Sequence, residues 1–400
     1  MKNTVFLVIA FFISGITTGQ PAIDYLLKAK ALYESGKPEQ SVRLLSEAIT
    51  KAPDNRLFLE RAEAKLMEGD YSGAISDYNA ANNLSGFSGE YGLSKAYAIK
   101  GDAATSIYHL EMHMKSPFKK SEKEIMLDPS FRIIENRPEW RQFWKKDWYT
   151  LPEQKISEIE YYLSVSRKDE AVETLSELKR DYPGDNNVTY AGALINFSAG
   201  KFSEVIKSVS GLLDSDPANE KYLRIMAGAQ TGMSNPAGAS VTYTKMIELE
   251  IPDARLLLLR AECYRKTGET DRALADIEKF LGIYPEDKEA LSIAGKTEAT
   301  SGDNLKALEY FSKNLELHPG DPECYIDRAN SYFVSKSWTL AISDYSMSLD
   351  LNPHNSEIWL NKGIALLNTG KAEDACHDFR TALSMGNKRA TDYISRNCIK

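Results

Sequence analysis

The stretch Ala254–Pro285, ARLLLLRAECYRKTGETDRALADIEKFLGIYP, splits into two amphipathic runs of about a dozen residues each. Leu257, Ala261 and Tyr264 share one face of the first run, and Ala273, Ile277 and Phe280 share one face of the second. Gly268 sits between them, where a left-handed turn costs glycine little. Pro285 cannot continue a helix, so it closes the unit. The stretch is therefore predicted to be a helical hairpin.

Outward from this hairpin the pattern repeats from about Pro152 to Asn387 at a stride of 34 residues, as from 261 to 295 to 329 to 363. A small residue recurs at Ala193, Ala227, Ala261, Gly295, Ala329 and Gly363. A second small series runs through Ala171, Val205, Ala239, Ala273, Ala307, Ala341 and Ala375. A bulky series keeps step at Leu175, Val209, Tyr243, Ile277, Phe311, Tyr345 and Phe379, and prolines close the units at Pro183, Pro217, Pro252, Pro285, Pro319 and Pro353. Small side chains are expected where two helices cross, because larger ones would push the backbones apart. One hairpin cannot hide its apolar face alone, whereas stacked hairpins share a core. The predicted fold class is all-α, a solenoid.

At these residues the chain resembles the tetratricopeptide repeat family. The unit Ser356–Asn387 carries the pattern as Trp359, Gly363, Leu366, Gly370, Ala375, Phe379 and Ala382. The unit Pro322–Pro353 carries Tyr325, Ala329, Tyr332, Ala341, Tyr345 and Pro353, with Lys336 where glycine is usual. The resemblance implies a right-handed α-α superhelix of about ten helical pairs. It also implies a non-catalytic scaffold for protein–protein interaction, with the first helices lining a concave groove.

The resulting domain plan is a signal peptide over 1–19, an N-terminal lobe of three repeats over 20–118 and a degenerate Trp-rich connector over 119–150. A C-terminal lobe of seven repeats over 151–387 and a capping helix over 388–400 complete it. Lys2, the apolar run Val5–Ile13 and the small residues Thr17, Thr18 and Gly19 read as an export signal. That run is too short to span a bilayer, which takes about 20 residues. The mature chain is expected to be exported, periplasmic or extracellular in a bacterial envelope, with no membrane span. Net charge is −8 and no basic run stands out, which argues against nucleic-acid binding.

In the connector, Pro138 suits a first helical turn. From it, Trp140, Trp144 and Trp148 fall four apart, on one expected helical face. Exposed, that stripe would be a binding patch, and a glycan or cell-wall ligand stacking on it is the alternative function. Buried, it would plug the join left by the degenerate unit, and the need to fill that gap favours burial.

An antiparallel capping helix would bring Cys398 beside Cys376, and an exported protein can keep such a disulfide; the alternative is two free thiols. Cys263 and Cys324 lie two repeats apart and read as core fillers. His109 and His113 are four apart with Glu111 between them, but a zinc-protease helix needs its Glu directly after the first His. No metal, no cofactor and no catalytic residues are expected.

The groove implied by the resemblance includes Ile326, Asn330 and Phe333 in one unit, and Leu360, Ile364 and Leu367 in the next. Each set is spaced i, i+4, i+7, a second apolar stripe that either packs under the capping helix or forms a channel for an extended or helical peptide. Leu258 is added to this surface, and Arg255, Glu262, Arg265, Lys266 and Lys296 would make it charged and partly basic. Some relatives clamp a terminal carboxylate with Lys and Asn. Asn330 and Asn361 match two such positions here, but Ile326 stands where the Lys should be. The expected partner is a protein or peptide, within a complex of the envelope.

Overall fold

The structure, a computed structural model, describes residues 22–398; the export signal expected over 1–19 lies outside them. All regular elements among the described residues are helical. The chain divides into two compact units, one ending at Trp148 and the other beginning at Tyr149.

The first unit holds three hairpins: α1 (Ala22–Glu34) with α2 (Pro38–Lys51), α3 (Asn55–Glu68) with α4 (Tyr71–Leu84), and α5 (Glu90–Ile99) with α6 (Ala103–Met114). It ends in two single-turn pieces, α7 (Glu122–Leu127) and α8 (Pro138–Phe143), on either side of a 3-10 turn at Pro129–Phe131. The second unit holds seven hairpins. They are α9 (Leu151–Ser164) with α10 (Lys168–Asp181), α11 (Asn186–Ser198) with α12 (Phe202–Ser215), and α13 (Glu220–Gly232) with α14 (Pro236–Glu248). Next come α15 (Arg255–Thr267) with α16 (Thr270–Leu281) and α17 (Lys288–Ser301) with α18 (Asn304–Leu317). The last two are α19 (Pro322–Val334) with α20 (Trp338–Leu351) and α21 (Ser356–Asn368) with α22 (Ala372–Ser384), after which α23 (Ala390–Asn397) closes the unit. No helix among the described residues is long and apolar enough to cross a membrane.

The crossing argument holds atom by atom. Ala261 and Ala329 are completely buried. A methyl group added to Gly295 would lie 2.4 Å from the Phe311 ring, and one added to Gly363 would lie 2.6 Å from Phe379. At these two glycines the small series meets the bulky series inside its own hairpin, and no larger residue fits without moving a ring. Gly268 adopts φ 79° as its turn requires. Lys336 takes the same left-handed conformation at φ 59° without glycine's freedom, at a cost of about 1 kcal/mol.

A further periodic device ties first helices to second helices. Arg61 meets Asp77 at 2.7 Å, Arg260 meets Asp276 at 2.7 Å, and Arg328 meets Asp344 at 2.7 Å. Lys362 and Asp378 take the same places at 3.4 Å. Each arginine forks onto both carboxylate oxygens, so geometry as well as charge fixes the hairpin angle.

The connector departs from expectation. Helix α8 stops at Phe143, so the three tryptophans do not share a helical face. The Trp148 indole N–H donates to the Phe143 carbonyl at 2.8 Å, satisfying one of the carbonyls left free by the helix end. The chain thereby turns back, and Trp148 stacks on the Phe143 ring at 5.0 Å. Trp140 is buried against Phe131, while Trp144 and Trp148 are half-buried. These rings pack on one another, and a flat platform of three indoles is not formed.

Cys376 and Cys398 are joined by a disulfide across a Cα–Cα distance of 5.6 Å. Cys263 and Cys324 are buried free thiols, each pushed up to about 11 by burial.

Candidate functional site

The bulky series contains tyrosines as well as phenylalanines, and the difference decides what the first-helix face can do. In the second unit the Tyr345 ring of α20 is fully buried. Its hydroxyl emerges beside α19 and donates to Asn330 Oδ1 at 2.7 Å. Burial pushes this phenol upward, so it remains a donor at any ordinary pH. With its oxygen committed to Tyr345, Asn330 has its amide N–H groups to offer outward. Phe333, one turn on, packs edge-on against Trp338 at 5.1 Å and Tyr345 at 6.3 Å. It is half-buried, as are Ile364 and Leu367 on α21, which pack against the cluster of Leu360, Phe379 and Ala390.

The other residues expected in this groove lie elsewhere. Leu258, Ile326 and Leu360 are buried, and they serve the core. Ile326 packs with Ile358 of the next hairpin, and Leu360 packs with Phe379 and Ala390.

The expected basic surface is also corrected, because every cation in it is matched. Arg255 pairs with Glu289 at 2.6 Å, one stride away on the next first helix. Arg265 and Lys266 share Glu262 at 2.7 and 3.3 Å, and Lys296 meets Asp327 at 3.0 Å. Glu262 is held below the usual carboxylate range: burial opposes this, but the Arg265 and Lys266 contacts prevail.

The first unit carries a related arrangement with different chemistry. Tyr78 stands in α4 where Tyr345 stands in α20, 267 residues later (345 − 78). The Tyr78 ring lies so close to Gly92 that an added methyl group would sit 2.0 Å from it, so only glycine fits there. The Tyr78 hydroxyl donates to Glu63 Oε1 at 2.7 Å, and Lys95 Nζ donates to Oε2 at 2.6 Å. Beside this triad lies a cleft of about 480 Å³ lined by Glu63, Tyr91, Lys95, Lys120, Glu124, Leu127, Asp128 and Pro129. Tyr91 donates to Asp128 at 2.8 Å, and the ammonium groups of Lys95 and Lys120 lie 5.7 and 5.2 Å from its ring centre. Burial would raise the Glu124 carboxyl, but the backbone N–H and hydroxyl of Ser121, with Lys120, hold it at about 2. The connector supplies Lys120, Glu124, Leu127, Asp128 and Pro129 to this cleft.

A second cleft, of about 720 Å³, lies along α14 opposite Tyr264 and Arg272. The guanidinium groups of Arg260 and Arg272 approach the Tyr264 ring centre at 5.7 and 5.3 Å. His109 pairs with Glu90 at 2.7 Å. His113 is buried and accepts from the Lys120 backbone N–H at 3.1 Å. Among the described residues no group of three or more His, Cys, Asp and Glu side chains converges as metal ligands would.

Comparison with known proteins bears on the repeats. The tetratricopeptide repeat family model matches residues 26–85 and 258–322, and a second model of the same description matches 345–377. The DnaJ homolog subfamily C member 3 of Gallus gallus is 28% identical over 151 residues, covering 32% of this chain. The match spans only 28% of that relative's length. Among solved structures, a tetratricopeptide repeat protein from Parabacteroides merdae ATCC 43184 superposes with a TM-score of 0.51 at 21% identity. It covers 62% of this chain and 99% of the other. YrrB, described as a TPR protein with an unusual peptide-binding site, aligns at 15% identity over 48% of this chain and 99% of its own, with a TM-score of 0.38.

Proposed function

We propose that this chain, which is a tetratricopeptide-repeat protein, is a non-catalytic scaffold that captures an extended segment of a partner protein on the first-helix face of α19 and α21. The observation that carries the reading is the Tyr345–Asn330 pair. A buried phenol fixes the amide, and its N–H groups can meet a backbone carbonyl of the segment without further ordering. Phe333, Ile364 and Leu367 supply the apolar contacts that give such a contact its affinity. The matched charges of Arg255, Glu262, Arg265, Lys266 and Lys296 would continue the surface as a polar rim that sets register.

Export is part of the same proposal. A disulfide between Cys376 and Cys398 suits an oxidising compartment, as does the leader-like composition of the first residues. The partner is then a protein of the bacterial envelope or the extracellular space.

The test is binding of the chain from Gln20 onward to peptides tiled across the exported proteins of its host, read by fluorescence polarisation. Phe333→Ala and Leu367→Ala should each weaken the best peptide about tenfold, with circular dichroism unchanged. If both variants lose helicity and melt early, those side chains are core and the assignment fails. Unchanged affinity in folded variants would move the groove elsewhere.

A further inference from the structure

The capping helix is in phase with the repeats. Helix α23 begins at Ala390, and α21 begins at Ser356, one stride of 34 earlier (390 − 356). Tyr393 therefore occupies the place of Trp359, and Ile394 the place of Leu360. Tyr393 stacks on Phe379 at 5.0 Å, and Ala390 is completely buried. Helix α23 keeps the register of the first helices, and it covers the same kind of apolar face that joins the hairpins before it.

Every other first helix in the unit is 13 or 14 residues long, whereas α23 has eight residues. An isolated helix of that length does not hold itself together in water. Two attachments tie it to the last hairpin. At the start, Asn387 and Arg389 donate to the Glu357 carboxylate of α21 at 3.0 and 2.5 Å. At the end, Cys398 is bonded to Cys376 of α22. Cys398 falls just past the residue of α23 that matches Gly363 (397 − 34 = 363).

We infer that the Cys376–Cys398 disulfide is a redox-controlled latch that keeps α23 over the apolar face formed by α21 and α22. A dithiol reductant cleaves the S–S bond, giving two thiols as two electrons and two protons pass to them, while the reductant closes its own disulfide. The Glu357 attachment remains as a hinge. The far end of α23 then leaves α22, and Phe379 and Leu360, both fully buried under the cap, gain access to solvent.

Hydrogen exchange on the full-length chain, with and without a dithiol, tests this, together with the half-exposed substitution Cys398→Ser. In the reduced protein and in the variant, amides over 390–397 should exchange at least about tenfold faster, while those of α15 to α20 stay within about twofold. Equal protection of α23 in oxidised and reduced protein would overturn the latch. Fast exchange of α23 in the oxidised protein would overturn it too, since nothing would then be held. A collapse of protection throughout α15 to α22 would make the bond a general stabiliser and refute a local device. Thiol counting on the oxidised protein under denaturant must find two free cysteines, Cys263 and Cys324; four would remove the premise.

Discussion

The two units place a tyrosine at the same point of a hairpin and use it differently. In the first, Tyr78 holds a carboxylate that also carries a lysine; in the second, Tyr345 holds an amide one turn from Phe333. The backbone device is shared, so the residue that accepts the phenol's hydrogen bond sets the chemistry of each face. A charged acceptor makes the first unit's cleft a closed circuit of ion pairs around Tyr91. A neutral one leaves the second unit's face able to donate to a ligand.

The comparison is broken most severely at the Arg–Asp clasps. Asp344 has Arg328 as its ion-pair partner, with no second cation in range among the described residues. Asp77 keeps Lys65 at 2.8 Å when Arg61 is removed. Arg328→Met should therefore destabilise its unit by about 3–5 kcal/mol, the cost of stranding a buried charge. Arg61→Met should cost about half of that, since the remaining lysine offsets part of the loss. Urea titration read by hydrogen exchange in α20 and in α4 measures the two, and equal losses would mean that Lys65 does not share the load.

Acid should separate the units next. Burial, with Lys120 nearby, lowers the His113 imidazole to about 4, against about 6.5 in the unfolded chain. The folded state thus refuses a proton that the unfolded state accepts between those values. Stability of the first unit is full above about pH 6.5 and falls as pH drops towards 4, by up to about 3 kcal/mol. Down to pH 5 this loss is distinct from that of Glu124, whose carboxyl sits at about 2. Thermal melts at pH 7 and pH 5 should show the first unit weakened and the second little changed, with His113→Gln flattening the difference. A first unit insensitive to this range would show that His113 is hydrated in the folded state.

A tyrosine pair follows. Tyr78→Phe takes a donor from a charged acceptor and should cost about 1.5–3 kcal/mol, whereas Tyr345→Phe takes one from an amide and should cost about 1 kcal/mol. The second change should also weaken peptide capture, because Asn330 is then free to turn. Stability loss in Tyr345→Phe with affinity intact would detach the phenol from the binding face.

How far these features were legible in the sequence follows from what each depends on. The stride, the turn at Gly268 and the tight crossings at Gly295 and Gly363 depend on residue type at fixed spacing, and they read directly. The rotation of each first helix about its own axis does not, so Leu258, Ile326 and Leu360 looked like groove residues while being buried in the core. The cations were visible, but two have partners near one stride away, Glu289 for Arg255 and Asp327 for Lys296, while Arg265 and Lys266 pair with Glu262 on their own helix. A search near one stride would have found the first two. The clasps have an equally plain signal at 16 residues, from 61 to 77, 260 to 276 and 328 to 344. The tryptophans misled because helix length was read from spacing, while α8 ends where Trp148 takes the Phe143 carbonyl. The alternation of Tyr and Phe in the bulky series was on view as well, and only the hydroxyl's destination made it meaningful.

The smallest effect sharpens the comparison most. Asn330→Glu gives the second unit the acceptor of the first, and Lys362 stands where Lys95 stands, 267 residues on (362 − 95). The transplanted carboxylate would still receive the Tyr345 hydrogen bond. Lys362, however, already meets Asp378 at 3.4 Å and lies 4.4 Å from the Trp359 ring centre, so it cannot complete the triad without leaving them. Because Asn330 is exposed, the change should move stability by less than about 0.5 kcal/mol. It also replaces an outward donor with a negative charge one turn from Phe333. Capture of a segment through its backbone carbonyl should then fall, while the urea midpoint stays put. If affinity is retained with glutamate at 330, the acceptor on that helix does not set the chemistry of the face, and the contrast between the two units is one of stability alone.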